Sequence, residues 1–172
     1  RGAQPWALTP EAYGKFLCGL FDVYYRDWVN GDYTSVRLFD DYIHMAMGMP
    51  AGTCATSGSC GAYFVVEGDG TVYPCDFYCL DEWEMGRIGE QSITELANSE
   101  KARLFLQQGE RKPDACADCR WYSLCHGGCK RDWVENDGKL ENYSCLAFKE
   151  FFAYAESRIL EIARAEAEYY RR

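Results

Sequence analysis

Eight of the ten cysteines in this 172-residue chain form one spaced pattern, which constrains the fold more than any other feature. The set comprises an early group, a dense later run and a final cysteine: Cys54, Cys60-x9-Gly70-x4-Cys75, Cys116-x2-Cys119-x5-Cys125-x3-Cys129, and Cys145. Thiolates are soft ligands that suit iron–sulfur clusters and zinc. Because eight thiolates supply two complete four-ligand sites, the pattern predicts two metal centres.

Composition bounds the class of protein. Hydrophobic residues make up 48% of the chain and aromatic residues 16%, as expected of a globular protein. No run approaches ~18 apolar residues and no secretory signal is evident, so we expect a cytoplasmic protein without a membrane partner. The formal net charge of −9 argues against a nucleic-acid partner. The sequence does not begin with Met, which predicts that it is a piece of a longer protein.

The first half of the chain is predicted to be mainly helical. Apolar residues recur at helical spacing over residues 9–29, where Thr9 can cap the helix and Pro10 suits its first turn. A short strand is predicted from Tyr33 to Leu38 and a short helix from Phe39 to Met47. The small, polar residues 51–60 predict a loop.

A β-hairpin is predicted around Asp69-Gly70, with strands over residues 62–66 and 71–73. This pairing would bring Cys60 and Cys75 to its open end. Further along, Ser92-x-x-Glu95 predicts a capping box that opens a helix to about Gln108, closed by Gly109. Residues 112–130 are loop-rich, and Ser144 can cap a last helix.

The identity of the metal follows from the graded spacing of the later cysteines. A secreted disulfide protein is an alternative, but such scaffolds are typically smaller and poorer in core residues. Zinc sites usually use two close pairs of ligands, whereas this run of four is similar to that of ferredoxins. In two-cluster ferredoxins the fourth cysteine of the run ligates the other cluster. That analogy predicts two interleaved sites: Cys54, Cys60, Cys75 and Cys129 in one, and Cys116, Cys119, Cys125 and Cys145 in the other.

The whole arrangement resembles the SPASM domain of radical S-adenosylmethionine (SAM) enzymes, which holds two auxiliary [4Fe–4S] clusters in peptide-modifying enzymes. Three segments are similar, more narrowly, to anaerobic sulfatase-maturating enzymes: Leu8–Tyr13, Tyr73–Phe77 and Arg120–Cys129. Those enzymes convert a cysteine or serine of a sulfatase peptide to formylglycine. The resemblance covers nearly the whole chain and implies the same interleaved ligand sets for two [4Fe–4S] clusters.

The resemblance also implies a fold and a domain order. The expected class is α+β, with a short β-hairpin, helices and cluster-binding loops, preceded by the last α/β units of a partial TIM barrel. The barrel would end in residues 1–50, the SPASM domain would occupy 51–150, and a C-terminal helix 151–172. The family's catalytic Cys-x3-Cys-x2-Cys motif does not occur in the sequence. SAM and a third [4Fe–4S] cluster are therefore expected only in a missing N-terminal part, and the fragment alone should be inactive.

In the complete enzyme, the resemblance implies that a 5′-deoxyadenosyl radical removes a hydrogen from the substrate Cβ. Asp76, directly after Cys75, is the implied catalytic base; the alternative is a carboxylate that only accepts backbone N–H bonds in a turn. The expected partners are a sulfatase-derived peptide or unfolded sulfatase, and an external electron donor or acceptor such as a flavodoxin or ferredoxin.

Other functions stay open. The chain could be the SPASM domain of a different peptide-modifying radical SAM enzyme, or a standalone iron–sulfur module for electron transfer or peptide binding. A structural zinc domain is a further alternative. Among the remaining residues, Cys18 is predicted to be a core residue and Cys79 a bystander or spare ligand. His126 could donate a hydrogen bond to a cluster sulfur, and Gly127-Gly128 would let the backbone pass close to the inorganic core.

Overall fold

The structure is a computed structural model that describes residues 4–169. Within this range, the chain combines α-helices with two small antiparallel sheets. The helices are α1 (Pro10–Val29), α2 (Arg37–Ala46), α3 (Cys54–Ser57), α4 (Ile93–Ala97), α5 (Glu100–Glu110), α6 (Tyr122–Cys125) and α7 (Cys145–Tyr169). The strands are β1 (Val65–Val66), β2 (Thr71–Tyr73), β3 (Gly86–Arg87), β4 (Trp133–Asn136) and β5 (Lys139–Asn142).

Packing divides the chain into two compact units. The first contains residues 4–57 and 113–169, and the second contains residues 58–112. The expected segments 1–50 and 151–172 extend into residues 1–3 and 170–172, which lie outside the described residues. The assignment of these two segments to the end of a barrel and to a terminal helix stays a prediction, because the division into two units does not test it.

An aromatic core between α1, α2 and α7 holds the first unit together. The predicted first helix is confirmed, and its Thr9 Oγ1 accepts the Ala12 N–H at 3.2 Å. Phe151 of α7 is fully buried, stacks on Phe39 of α2 at a ring-centroid distance of 5.4 Å, and meets the edge of Phe21 of α1 at 5.5 Å. Aromatic pairs of this kind add stabilisation beyond the area they bury.

The predicted strand from Tyr33 to Leu38 is wrong. Residues 32–36, all described, form no regular element, and α2 already begins at Arg37, two residues before the predicted start of the next helix. The carbonyl oxygen of Val36 accepts the N–H groups of Phe39 and Asp40 at 2.8 and 3.0 Å, which closes the first helical turn. Phe39 and its neighbours on the same side of the helix are buried, and this burial favours a helix over a strand in this segment.

The predicted hairpin of the second unit is confirmed. Val65 pairs with Tyr73 and Val66 with Val72, and β3 adds to the other edge of β2. Glu67 N–H donates to the Thr71 carbonyl at 2.9 Å, so three residues make the turn. The third, Gly70, has φ +88°, the left-handed conformation that this loop type places at its last residue.

The helix predicted from Ser92 to about Gln108 is interrupted. Its capping box is confirmed, because Ser92 Oγ accepts the Glu95 N–H and Glu95 Oε2 accepts the Ser92 N–H. However, α4 ends at Ala97, and Ser99 caps a new helix, α5, by accepting the Ala102 N–H at 3.1 Å. Gly109 does not end this helix as predicted, since α5 continues to Glu110.

A second hairpin, β4–β5, was not predicted. Its two-residue turn is Asp137-Gly138, with φ values of +48° and +75°. Asp-Gly is the favoured pair for such a turn, so the signal was present in the sequence. The hairpin ends at Asn142, three residues before α7 begins, and so leads the chain into the last helix.

Among the described residues, no helix is both long enough and apolar enough to cross a membrane.

Replacing Phe151 by alanine is expected to reduce the free energy of unfolding by about 3–5 kcal/mol, because it leaves a cavity among aromatic rings of three helices. The matched control is Phe16→Ala on α1, where the side chain is 55% exposed. Its free energy of unfolding should fall by about a third as much as that of Phe151→Ala, or less. Urea denaturation followed by circular dichroism measures both. Equal losses in the two variants would contradict the proposed core.

Candidate metal centre

Four of the predicted ligands line one pocket of the first unit: Cys116, Cys119, Cys125 and Cys145. They come from three short-range structures. Cys116 ends a 3₁₀ turn, and its carbonyl accepts the Cys119 N–H at 3.3 Å. Cys125 is the last residue of α6, and Cys145 is the first residue of α7. We call this set the four-thiol pocket.

The walls of the four-thiol pocket are mostly apolar. Trp121, Phe148 and Phe152 line it together with the thiols. Phe152 also belongs to the aromatic core, so α7 connects the pocket directly to the most tightly packed part of the unit. Such walls exclude water, which is one of the factors that set the reduction potential of an iron–sulfur cluster.

Burial raises the pKa of two of these thiols, Cys125 and Cys145. It raises the pKa of Cys125 to about 12, and the neighbouring thiols of Cys116, Cys145 and Cys119 add to this, against a hydrogen bond from the Gly127 N–H. Burial also raises the pKa of Cys145, opposed by the positive charge of Lys149. A thiolate is the metal-binding form, so metal binding here must displace protons. The donor set and its dry walls fit a group that brings several positive charges.

The indole of Trp121 supplies a further sign of a missing polar partner. Its Nε1 is buried, and no hydrogen-bond partner for it exists among residues 4–169. Buried polar groups normally have a partner, and each exception calls for an explanation. Since this side chain lines the four-thiol pocket, an acceptor inside the pocket would satisfy it.

The loop between Cys125 and Cys129 is left-handed throughout. His126, Gly127 and Gly128 have φ values of +49°, +88° and +69°. The Gly127 carbonyl accepts both the Trp133 indole N–H and the Asn142 side-chain N–H at 2.8 Å. Glycine is also required at 128 for space, because a Cβ there would lie 2.6 Å from Asn142 Nδ2.

Cys129 lies apart from the four-thiol pocket and near Cys54 instead. Burial raises the pKa of Cys129, a hydrogen bond from the Arg131 N–H lowers it, and the Cys54 thiol is among the groups that raise it. Cys129 is not among the residues that line the four-thiol pocket. Cys125 therefore lines the four-thiol pocket and Cys129 does not, while the division of the cysteines into two ligand sets stays a prediction.

Asp41, on α2, organises the turn that carries Cys54. The Asp41 carboxylate is 3% exposed and accepts hydrogen bonds from Gly52 N–H at 2.9 Å, Thr53 Oγ1 at 2.7 Å and Thr56 Oγ1 at 2.6 Å. Burial alone would raise the pKa of Asp41, but these bonds outweigh it and lower the pKa below its ordinary value. Residues 51–60 were predicted to be a loop, but the structure contains one helical turn there, α3.

His126 connects this turn to the left-handed loop. Its Nδ1 lies 2.7 Å from the Thr56 carbonyl oxygen. Since a carbonyl only accepts, Nδ1 must carry the hydrogen. The sequence analysis did not predict the contacts of Asp41 and His126 with this turn. Asp41 and Thr56 carry no sequence signal beyond the propensity for a helix and a turn.

The other predicted ligands, Cys60 and Cys75, belong to the second unit. The Tyr63 N–H donates to the Pro74 carbonyl at 2.9 Å, which extends the hairpin pairing toward both cysteines. Cys60 packs directly against Gly109, where a Cβ would lie 2.7 Å from the Cys60 Sγ. Gly109 lies in the last turn of α5, and the close approach of Cys60 leaves no room for a side chain there.

Asp76 and Cys79 follow Cys75 closely. The exposed Asp76 carboxylate has its Oδ1 3.3 Å from the Cys75 Sγ. Cys79 Sγ lies 3.7 Å from the Cys75 carbonyl oxygen, to which it donates. Asp76 therefore stands beside a predicted ligand and open to solvent, and Cys79 bonds to backbone. Cys18 packs against the first unit's core, as predicted.

All ten cysteines lie within the described range. Among residues 4–169, no group of three or more Cys, His, Asp or Glu side chains is close enough together to enclose a single metal ion.

Comparison with known proteins gives a family match that includes four of the eight predicted ligands, Cys60, Cys75, Cys116 and Cys119. Residues 58–120 match the SPASM family, described as an iron–sulfur cluster-binding domain. A cysteine-type anaerobic sulfatase-maturating enzyme of Clostridium perfringens is 39% identical over 95% of this chain and 45% of its own length. A serine-type anaerobic sulfatase-maturating enzyme of Bacteroides thetaiotaomicron is 29% identical over 87% of this chain and 36% of its own length.

A solved structure agrees with these relatives. Native anSMEcpe with bound AdoMet and Kp18Cys peptide superposes with a TM-score of 0.89 and 40% identity. The match covers 96% of this chain and 46% of the solved one. The chain thus spans between about a third and a half of the length of these proteins, and its mixed helices and small antiparallel sheets match the corresponding part of the solved structure.

The raised pKa of Cys125 predicts its chemical reactivity. At pH 8 the iron-free, folded chain should alkylate at Cys125 at least ~100-fold more slowly than the urea-denatured chain, because a pKa of about 12 leaves little thiolate. The rate should rise with pH until the medium passes that pKa. Iodoacetamide labelling with peptide mass spectrometry measures it. Equal rates in folded and denatured chains would rule out the buried environment.

Proposed function

This chain carries a SPASM iron–sulfur cluster-binding domain and is homologous to anaerobic sulfatase-maturating enzymes, and we propose that it is the auxiliary-cluster region of such an enzyme. The complete enzyme would generate formylglycine by oxidising a cysteine or serine of a sulfatase peptide. The observation that carries the proposal is the four-thiol pocket, in which four partly buried cysteines line one apolar space beside an indole N–H that has no partner among the described residues.

We propose two [4Fe–4S] clusters with interleaved ligands. Cys116, Cys119, Cys125 and Cys145 would hold one, and Cys54, Cys60, Cys75 and Cys129 the other. Support comes from the electrostatic neighbours of two cysteines that are close in sequence. Three of the four-thiol pocket's cysteines are neighbours of Cys125, whereas Cys54 is the neighbouring cysteine of Cys129.

When bound, the clusters supply one-electron redox chemistry, through which the electron released by the substrate leaves the site. The chain's own residues would set how readily this happens. The Gly127 N–H bonds to the Cys125 sulfur and the Arg131 N–H to the Cys129 sulfur, and such bonds stabilise negative charge on a ligand. The apolar walls of the four-thiol pocket exclude water.

We propose Asp76 as the base of the oxidation. The substrate loses a hydrogen atom from Cβ to the radical, a proton from its thiol or hydroxyl group, and one electron. A serine gives the aldehyde directly, and a cysteine gives a thioaldehyde that water converts to the aldehyde with release of hydrogen sulfide. The Asp76 carboxylate can accept the proton because it is exposed beside Cys75, where a bound peptide can reach it.

The radical itself would arise elsewhere in the enzyme. The sequence contains no Cys-x3-Cys-x2-Cys, so the SAM site and its cluster would lie outside this chain, which alone would be inactive. Residues 1–50 would be the end of a partial barrel, 51–150 the SPASM domain and 151–172 the terminal helix. A flavodoxin or ferredoxin would exchange electrons with the enzyme.

The iron content tests the two-cluster proposal. The chain, purified and reconstituted without oxygen, should bind about eight iron and eight sulfide, and Cys125→Ala or Cys129→Ala should each retain about four. The double variant should retain almost none, because the two residues serve different clusters. Cys18→Ala, a packed helix residue, is the matched control and should keep the full content.

The outcomes separate the alternatives. If the double variant kept as much iron as either single variant, both cysteines would serve one cluster and the interleaving would be wrong. About two zinc ions per chain in place of iron would end the cluster proposal and favour a structural zinc domain.

Asp76→Asn is expected to lower peptide oxidation by about 10²–10⁴-fold in a form of the enzyme that includes the radical-generating region, because asparagine cannot take the proton. Iron content and the amount of 5′-deoxyadenosine should change little. Asp81→Asn, a nearby exposed carboxylate, is the control and should keep its activity. Formylglycine is measured by mass spectrometry of the peptide. Undiminished oxidation by Asp76→Asn would exclude this residue as the base.

A further inference from the structure

We propose that the indole N–H of Trp121 donates a hydrogen bond to a sulfur atom of the cluster held in the four-thiol pocket and thereby raises the reduction potential of that cluster. This inference rests on the proposed function, because it requires a cluster in that pocket. It assigns a role to a residue that neither binds iron in the proposal nor belongs to the cysteine pattern.

The first observation is the unsatisfied donor. Trp121 Nε1 is fully buried and, within the part of the chain that the structure describes, bonds to no protein atom. An indole nitrogen only donates, and a buried donor without an acceptor is destabilising by an amount comparable to a lost hydrogen bond. A partner that occupies the pocket would remove this cost.

The second observation concerns the position of the ring. Trp121 lies two residues after Cys119 and four before Cys125, at the start of α6, and it lines the four-thiol pocket beside both. One face of the ring stacks on Phe152 with a centroid distance of 6.3 Å. The guanidinium carbon of Arg120 lies 5.0 Å from the ring centroid. Both neighbours lie over the plane of the ring, whereas the N–H donor lies on its edge.

Two other tryptophans, Trp133 and Trp28, have the acceptor that Trp121 lacks. The Trp133 indole N–H donates to the Gly127 carbonyl at 2.8 Å. The Trp28 indole N–H donates to Glu166 Oε1 at 3.0 Å. Both of these partly buried rings have protein acceptors, while the ring that lines the thiols has none among the described residues.

The direction of the effect follows from charge. Reduction adds one negative charge to a cluster that four thiolates already make negative, and sulfur atoms carry part of it. A hydrogen bond to sulfur stabilises the reduced state more than the oxidised state. The Trp121 N–H therefore makes the cluster a better electron acceptor.

The test uses Cys129→Ala as background, so that the cluster of the four-thiol pocket is the one that remains. In this background, Trp121→Phe should shift the oxidised-to-reduced ratio at a fixed potential about tenfold toward the oxidised form, equivalent to about 59 mV for one electron. Anaerobic potentiometric titration followed by electron paramagnetic resonance measures the shift. Trp28→Phe, which removes an indole N–H that is already paired with Glu166, should leave the potential unchanged.

A second variant separates the loss of the hydrogen bond from any loss of packing around the ring. Replacing Trp121 by 3-benzothienylalanine keeps the ring shape and removes only the N–H, so it should give the same negative shift with full iron content. In the unchanged protein, an exchangeable proton coupled to the reduced cluster should be detectable by pulsed electron–nuclear resonance, and it should weaken in both variants.

The results separate the two proposals. A chain without iron in the Cys129→Ala background would contradict the proposed ligand set. A chain with its cluster intact, whose potential and proton coupling are the same with and without the Trp121 N–H, would overturn this inference alone.

Discussion

The packing of α7 on α1 and α2 is the interaction on which the candidate metal centre depends. One face of α7 buries Phe151 and Ala155 in the aromatic core, and the adjoining face presents Cys145, Phe148 and Phe152 to the four-thiol pocket. Residues three and four apart lie on the same side of a helix, so the spacing of the latter set fixes it as one surface. The energy that holds the pocket together is therefore the burial of aromatic rings, available before any metal binds.

The apolar walls of the four-thiol pocket have two opposing effects on metal binding. Dry walls favour a stable, tunable cluster, yet the same dryness raises the pKa of Cys125 and keeps its proton in place. In the proposed site iron would have to displace that proton, and the gain in bonding and charge neutralisation would come from the four cysteines that line one pocket. A single buried cysteine with the same pKa, in the absence of the other three, would be chemically inert.

Much of the fold was readable from local signals, and the cysteine spacing singled out the four residues that line one pocket. Thr9, the capping box at Ser92 and the Gly70 turn each follow from backbone chemistry within a few residues, and each was predicted. The break at Ser99 was missed although its signal is local, since Ser99 caps α5 by accepting the Ala102 N–H. The start of α2 has no side-chain cap, and the burial of Phe39 and its neighbours decides it instead. The contacts of Asp41 with residues 52–56 and of His126 with Thr56 join segments that are 11 to 70 residues apart, so sequence pattern could not reveal them.

The strongest physical argument for interleaved ligands lies in the three residues between Cys125 and Cys129. Had α6 continued, a spacing of four would have placed both thiols on the same helical face and directed them to the same site. Instead the helix ends at Cys125, and three successive left-handed residues turn the chain away. For His126 this conformation costs about 1–2 kcal/mol, which its hydrogen bond to the Thr56 carbonyl helps to offset. This short, strained loop is held in place by the hydrogen bonds of His126 and Gly127. It thereby allows Cys125 and Cys129, which are close in sequence, to bind different clusters in the proposed arrangement.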